Sequence, residues 1–451
     1  MQTFDEAYTR LNPEQKRAVE TTEGPVLVIA GPGTGKTQVL TLRIAHILQK
    51  TDTLPENILA LTFTDNAAQN MRERLIEFIG VTAYRIKITT FHSFANDIIQ
   101  SFPEKFAFRK ELEQIDDLQK FTIFSELLTS YDPSSTYKQF PEGESIAKEL
   151  YGNNPQALKP FNAPELYTNE ILQKIDRLKR EFVSKEKFAS LIRDELDTFK
   201  TQEKINPRTK KPYGAWTSQA KVIVKNIELL HFYTEYKKKM DERGLYDFGD
   251  MIANVAESLQ NDDEVLAHFQ ERFLYILLDE FQDTNGAQNA IVTALGSWDS
   301  KPNIFAVGDD DQSIFRFQGA NLANILEFTN QYPDAQIITL KTNYRSYQEI
   351  LDAADTVIQN NSERLGDQIE SVSKKLTAFQ ENGGSISLGN FSKQELEYHY
   401  IAEKISTLLK EGIDPNEIAV IYHKHKDGEE IRAVFEKHTI PLEIVVSENI
   451  V

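Results

Sequence analysis

Along the first segment of the chain, short apolar runs alternate with stretches of helical spacing, the pattern a parallel α/β sheet requires. Val26–Ile29, Ile58–Phe63, Phe273–Leu278, Ile304–Val307 and Ile337–Leu340 read as strands, several ending in glycine, polar or acidic clusters. Open α/β sheets bind ligands outside the carboxyl ends of their strands, so chemistry is expected there. Asn12 followed by Pro13 is an N-cap with proline at the first helical position. Between about residue 95 and residue 270 the strand runs vanish. Ile171, Ile175, Leu178 and Phe182 recur at i, i+4, i+7 and i+11, and Ile223, Ile227 and Leu230 repeat the stripe. Strand patterns resume at Phe273, which predicts a helical domain (95–271) inserted between two parts of one α/β domain (1–94 and 272–341). Arg208, Thr209, Lys210, Lys211 and Pro212 read as an exposed basic loop, a solvated connection or a DNA contact. Beyond Asn343, strands are predicted at Ser385–Phe391, Ile418–Tyr422 and Leu442–Val446, with a long helix from about Gln394. They form a β-α-β-α-β start of a second α/β domain (342–451), expected to be incomplete at Val451.

Composition narrows the class. At roughly 150 residues per domain, 451 residues suggest about three domains. The absence of cysteine removes disulfides, thiolate zinc sites, iron–sulfur clusters and cysteine nucleophiles. No apolar run approaches the roughly 18 residues of a membrane span, and Met1–Asp5 lacks signal-peptide character, so a soluble, cytoplasmic protein is expected. Lysine and arginine number 50 against 69 acids, a net charge of −19. That balance argues against coating nucleic acid through a global field, but leaves room for a local positive groove.

The sharpest chemical signal is Ala30, Gly31, Pro32, Gly33, Thr34, Gly35, Lys36, Thr37, after a strand and before a helix. The strict phosphate-loop pattern begins with glycine, where Ala30 stands here. Glycines let backbone N–H groups wrap phosphates, and a helix N-terminus adds positive potential. Lys36 then reaches the β- and γ-phosphates and the Thr37 hydroxyl holds Mg²⁺. An apolar strand ending in Asp279 and Glu280 supplies the acids: Asp279 for Mg²⁺, Glu280 to orient or deprotonate water. Another ends in Asp309, Asp310, Asp311 and Gln312. Three consecutive carboxylates repel one another, which implies a nearby cation or exposure to water. Gln312 suits sensing a γ-phosphate or positioning water. Tyr344 and Arg345 follow the strand Ile337–Leu340. They read either as a base-stacking ring and a cation for the transferring phosphoryl, or as an ordinary surface pair.

Taken together, these segments resemble the UvrD/Rep/PcrA group of superfamily 1 DNA helicases. The matching pieces are Leu11–Gln15, Ala30–Thr37, Leu61–Ala68, Thr90–Ala95, Leu278–Asn285, Val307–Ile314 and Asn343–Ser346, ordered over nearly the whole chain. The resemblance implies an α/β, RecA-like P-loop NTPase core, an inserted all-helical domain and a partial second RecA-like domain. It implies that Gln15 reads the adenine edge, that Tyr344 stacks on adenine and that Arg345 is an arginine finger. Arg74 matches an arginine at the nucleotide cleft. Phe63, Thr64, Asn66 and His92 match the single-strand path. On pattern alone, Phe63 is equally a buried strand aromatic. Gly244, Leu245, Asp247 and Phe248 resemble the return from the inserted domain.

Departures are specific. Gln38 stands where the best-known members carry arginine beside the adenine, and Phe317 and Gln318 replace tryptophan and arginine. Phe317 keeps a stacking face for DNA, whereas Gln318 loses a cation. His423, Lys424 and His425 stand where Arg-x-Asn often touches DNA, and without a third ligand the two histidines make no metal site. The group's glycine-rich segment, second inserted domain and final arginine motifs would lie beyond Val451. The implied protein is an ATP hydrolase, the amino-terminal portion of an ATP-dependent DNA helicase or translocase on single-stranded DNA. It moves 3′→5′ in repair, replication restart or recombination, using ATP and Mg²⁺. Its implied partners are single-stranded DNA, duplex junctions and repair or recombination proteins. The rivals are a helicase subunit of a nuclease complex, an ATP- and DNA-binding module without motor activity and, more distantly, a P-loop kinase.

Overall fold

A computed structural model of the chain describes residues 3–106, 113–152, 155–160, 162–313, 322–361, 374–380, 383 and 385–444. Its strands are β1 (Val26–Ala30), β2 (Ile58–Thr62), β3 (Lys87–Thr90), β4 (Glu113–Gln114), β5 (Leu245–Tyr246), β6 (Tyr275–Leu278), β7 (Ile304–Gly308), β8 (Gln336–Leu340), β9 (Thr342–Asn343) and β10 (Thr377–Ala378). Six form one parallel sheet in the order β3-β2-β6-β7-β1-β8. The pairs β4–β5 and β9–β10 stand apart from it.

Side chains alternate across a strand, and both faces of this sheet are covered. Val26, Val28 and Ala30 face a core shared with the helices Pro13–Glu20, Lys36–Lys50 and Asp65–Ile79. Leu27 and Ile29 face the opposite core, with Phe91–Ser101, Phe248–Asn261, Asp263–Arg272 and Gly286–Gly296. Burial on both sides explains why β1, β2, β6 and β7 read as near-continuous apolar runs.

The strand β3 is absent from the sequence expectation. Its sequence of lysine, isoleucine and two threonines gives no apolar run. The helical body has its own core, built by Asp117–Ser130, Pro141–Tyr151, Thr168–Arg180, Lys185–Lys200 and Gly214–Arg243. Its buried core runs from Ile115 to Met240, narrower than 95–271, because the helices on either side pack on the sheet instead. The predicted stripe also ends early. The helix stops at Arg180, and Phe182, with φ at +52°, packs toward the sheet-side core. The basic loop 208–212 is an exposed turn, closed by a bridge between Ile205 and Pro212.

One buried ion cluster joins the helical body to the sheet side. Lys179, 4% exposed, lies 3.0 Å from Asp247 and 2.7 Å from Asp250, with its ammonium 5.3 Å from the Tyr236 ring centroid.

The chain divides into two compact units, Met1–Asn382 and Gly383–Val451, so the described residues of 342–380 lie with the first. In the second, the helices Gln394–Lys410 and His425–Lys437 pack through Tyr398, Ala402, Ile405, Ile431, Val434 and Phe435. The strands expected there do not form. Ser385–Phe391 and Ile418–Tyr422 are irregular, with Leu388 98% and Ile421 95% exposed, and no ladder partner stands among the described residues. A strand depends on a neighbour for its backbone hydrogen bonds, and apolar patterning alone supplies none. Residues 442–444 form no strand, while Val445 and Val446 lie outside the described residues.

Candidate functional site

The phosphate loop and the acidic clusters after β6 and β7 sit at the carboxyl edge of the large sheet. After β1 the chain turns through Gly33 and Gly35, at φ +69° and +87°. These left-handed conformations are ones only glycine adopts without strain. Gly35 is the N-cap of Lys36–Lys50 and makes no side-chain capping bond, so the first helical amides are left for an anion. Ala30 closes β1, fully buried, and Thr37 and Gln38 lie in the helix's first turn. The loop is braced from within and from beside: Thr34 Oγ1 donates to the Gly31 carbonyl at 2.8 Å, and buried Gln15 Nε2 to the Thr34 carbonyl at 2.8 Å. The other end of the Gln15 amide accepts from Asn12 N at 3.1 Å in a capping box. Each end of the amide thus has one partner in the chain, and its second N–H and second lone pair remain for another group.

The acids close on the loop's lysine. Lys36 Nζ lies 2.7 Å from Glu280 Oε2. Glu280 has φ +47°, a strained conformation for a non-glycine residue that is worth notice at a reactive position. Asp279, 7% exposed, follows β6, and burial with the neighbouring Glu280 charge pushes its carboxyl up to about 6, against the pull of Lys36. The same two causes push Asp283 up to about 6, and its buried Oδ1 has no hydrogen-bond partner. Carboxylates so short of positive charge fit a divalent cation here.

A buried glutamine with no assigned role, Gln282, ties this group to β7. Its Nε2 donates to Glu280 Oε2 at 2.8 Å, and its Oε1 accepts from Asp309 N at 2.8 Å. Gln312 Nε2 in turn donates to Asp309 Oδ2 at 2.7 Å. The cation implied by the three aspartates is Lys374: its ammonium contacts Asp310 and lies 3.7 Å from Asp309 and 3.6 Å from Asp311.

Residues 343–346 rest on the phosphate loop. Tyr344 N donates to the Gly33 carbonyl at 2.8 Å and Asn343 Nδ2 to that of Pro32 at 2.5 Å. Asn343 Oδ1 accepts from Arg345 N at 2.9 Å and Ser346 N at 2.7 Å, fixing the turn. The Tyr344 ring lies 5.0 Å from that of Phe379, and its hydroxyl accepts from Asn12 Nδ2 at 3.0 Å. A Cβ on Gly33 would fall 2.7 Å from Arg345 Cβ, so glycine is what permits this approach.

A second group stands after β2 and β3, whose ends are in register at Thr62 and Thr90. Phe63 is half-buried, Thr64 caps the helix Asp65–Ile79, Asn66 is exposed and His92 lies in the first turn after β3. Desolvation and the charge of Arg180 hold the His92 imidazole below its ordinary value, with Asp65 opposing. Arg74 is exposed on Asp65–Ile79, whereas Arg72 turns inward to the carbonyls of Ala83, Ile86 and Ile88. Phe317 and Gln318 lie outside the described residues.

The family model for the UvrD/REP helicase N-terminal domain matches residues 11–333. The chain belongs to the UvrD/REP helicase family. The model for the UvrD-like helicase C-terminal domain matches residues 338–450. The ATP-dependent DNA helicase PcrA of Staphylococcus aureus is 32% identical over 435 residues, 96% of this chain and 50% of that protein. PcrA of Staphylococcus epidermidis is 32% identical over 435 residues, 96% of this chain and 51% of that protein. The chain thus spans about half the length of the curated relatives it matches. The parallel sheet and its helical layers agree with the RecA-type core of UvrD/REP proteins.

Three residues of this UvrD/REP site went unassigned by sequence reasoning: Asn343, Gln282 and Lys374. The first two stand inside the matched motifs, and Lys374 stands in none. An aspartate triplet that demanded a cation was the one available signal for Lys374. His423 and His425 recruit no third ligand, and no group of three or more metal-ligating side chains occurs among the described residues. Nor does any described helix have the length and apolar character to cross a membrane.

Proposed function

We propose that this chain is the ATP-driven part of a DNA helicase or translocase that moves 3′→5′ along single-stranded DNA, in repair, replication restart or recombination. The observation carrying this reading is the convergence of two separate segments on one loop: Lys36 pairs with Glu280, while Asn343 and Tyr344 bond to the loop's backbone. In this reading the loop amides and Lys36 bind the phosphates of ATP, Gln15 and Tyr344 select and stack the adenine, and Gln38 and Arg74 flank it. Thr37 and Asp279 would hold Mg²⁺, which supplies positive charge to the phosphates. Glu280 orients and deprotonates water, Gln312 senses the γ-phosphate and Arg345 stabilises the charge that builds on it. Phosphate entry draws Lys36 away from Glu280, so that carboxylate is released for water only when nucleotide is bound. Phe63, Thr64, Asn66, His92 and Phe317 line the strand path, where ring stacking tolerates any base. Partners follow from that path: single-stranded DNA, duplex junctions, and repair or recombination proteins acting at such junctions, in the cytoplasm.

The test is ATP hydrolysis by the purified chain with and without single-stranded DNA. Turnover stimulated by DNA and nearly abolished in Lys36→Ala is the expected result. Glu280→Gln should stop turnover yet keep nucleotide binding, because Asp279 remains. Binding of ATP and DNA without turnover in the wild type would indicate a module without motor activity, and indifference to DNA would indicate a different phosphoryl-transfer enzyme.

A further inference from the structure

We infer that Lys374 is a positioning residue for nucleotide turnover: it neutralises the aspartates at the end of β7 and thereby pins segment 374–380 against the phosphate loop and Tyr344. The inference rests on the ATP site proposed above and assigns it a residue outside every matched motif.

Two sets of contacts meet at this lysine. On one side, Asp309 and Asp310 are buried beside Asp311, three like charges in sequence at the edge where phosphates would bind. Lys374, only 9% exposed at its side chain, faces all three from a segment more than sixty residues later. Asp309 is in turn two hydrogen bonds from Glu280, through its amide to Gln282 and from Gln282 to that carboxylate. On the other side, the residues after Lys374 run along the nucleotide loop. Leu376 fills the space beside Gly31, where a glycine Cβ would meet its Cδ1 at 2.8 Å. Thr377 N donates to the Lys341 carbonyl at 2.9 Å and Phe379 N to that of Asn343 at 2.7 Å. Ala378 N donates to Gln348 Oε1 at 2.8 Å, and Phe379 lays its ring against Tyr344. Lys374 is therefore the charged end of a short rail whose other end supports the adenine-stacking tyrosine. Without its charge, the aspartates repel both one another and incoming phosphates, and the rail loses its anchor.

The experiment uses the 451-residue chain with Lys374→Met, which keeps length and removes charge, Lys374→Arg, which keeps charge, and the double variant Lys374→Met/Asp310→Asn. The readouts are KM and kcat for ATP with saturating oligo(dT), affinity for a fluorescent ATP analogue, oligo(dT) affinity without nucleotide, and thermal melting. Lys374→Met is expected to raise KM and weaken analogue binding by about tenfold or more, with nucleotide-free oligo(dT) affinity unchanged. Lys374→Arg should stay within about threefold of wild type, and Asp310→Asn should recover part of the loss by removing one of three adjacent like charges. Wild-type KM and analogue affinity in Lys374→Met would overturn the inference. So would an arginine variant as impaired as the methionine one, or a double variant no better than Lys374→Met. Should the wild type bind the analogue without hydrolysing it, the proposed activity fails, while the analogue affinities still decide the role of Lys374.

Discussion

Gly33→Ala, set against Gly24→Ala, separates backbone strain from the contact between the phosphate loop and residues 343–345. Both glycines are left-handed, at φ +69° and +78°, so alanine costs either position about 1–2 kcal/mol. Their surroundings differ. A Cβ at Gly24 meets nothing within 4 Å, whereas one at Gly33 lies 2.7 Å from both Arg345 Cβ and Asn343 Nδ2. Neither is the free end of a flexible chain. Relief requires residues 343–345 to move off the loop, adding about 1–3 kcal/mol of overpacking. It also endangers the bonds from Asn343 to Pro32 (2.5 Å) and from Tyr344 to Gly33 (2.8 Å), each worth about 1 kcal/mol. Gly24→Ala should therefore lower the melting temperature and leave ATP affinity alone. Gly33→Ala should melt lower still and bind a fluorescent ATP analogue about 10- to 100-fold more weakly, because Tyr344 is displaced. Equal analogue affinity in the two variants would refute the idea that the loop holds Tyr344 for nucleotide.

Phe63→Ala should weaken binding to oligo(dT) by about 1–3 kcal/mol in a fluorescence titration, with ATP binding in the absence of DNA unchanged; unfolding, or undiminished affinity, would show a packing aromatic instead. Glu228, buried in the helical body, accepts from Tyr137 Oη and from the amides of Ala157 and Leu158, yet burial pushes its carboxyl up to about 7. The folded chain thus holds this proton more tightly than the unfolded one, so the stability it lends is full below about pH 4.5 and is lost as pH rises through about 7. The difference, 7 − 4.5 = 2.5, at 1.36 kcal/mol for each pH unit bounds the swing at about 3 kcal/mol. Urea unfolding of Glu228→Gln should lack this slope, and an unchanged slope would count against the assignment.

The legible parts of this fold are those whose burial is two-sided. Four strands, β1, β2, β6 and β7, announce themselves as apolar runs because helices cover both faces, and glycine spacing with a lysine announces the phosphate loop. The edge strand β3 does not, since three of its four residues, Lys87, Thr89 and Thr90, are polar. Helical spacing reports that a face is buried, but not against what, and Phe91–Ser101 and Phe248–Asn261 bury theirs on the sheet. In the second unit, Ser385–Phe391 is expected as a strand, yet no partner for it stands among the described residues. Within the site, residues whose chemistry is borne by a side-chain type (Lys36, Asp279, Glu280) could be read directly. Gln282 and Asn343 could not, because their amides work through backbone atoms of other segments that only the fold brings near.

The strand order carries a mechanical consequence. The chain leaves the sheet after β3 to build the helical body and returns into β6, and these two strands are the neighbours of β2. The body is thus mounted at two points that straddle the strand leading into Phe63. A single tether would let it swivel; two tethers, with the Lys179–Asp247–Asp250 cluster between them, convert a push on the body into a shared load across three adjacent strands. Force applied to this body is therefore delivered to the ends of the strands that carry Phe63 and His92, before it reaches the nucleotide loop two strands beyond β6.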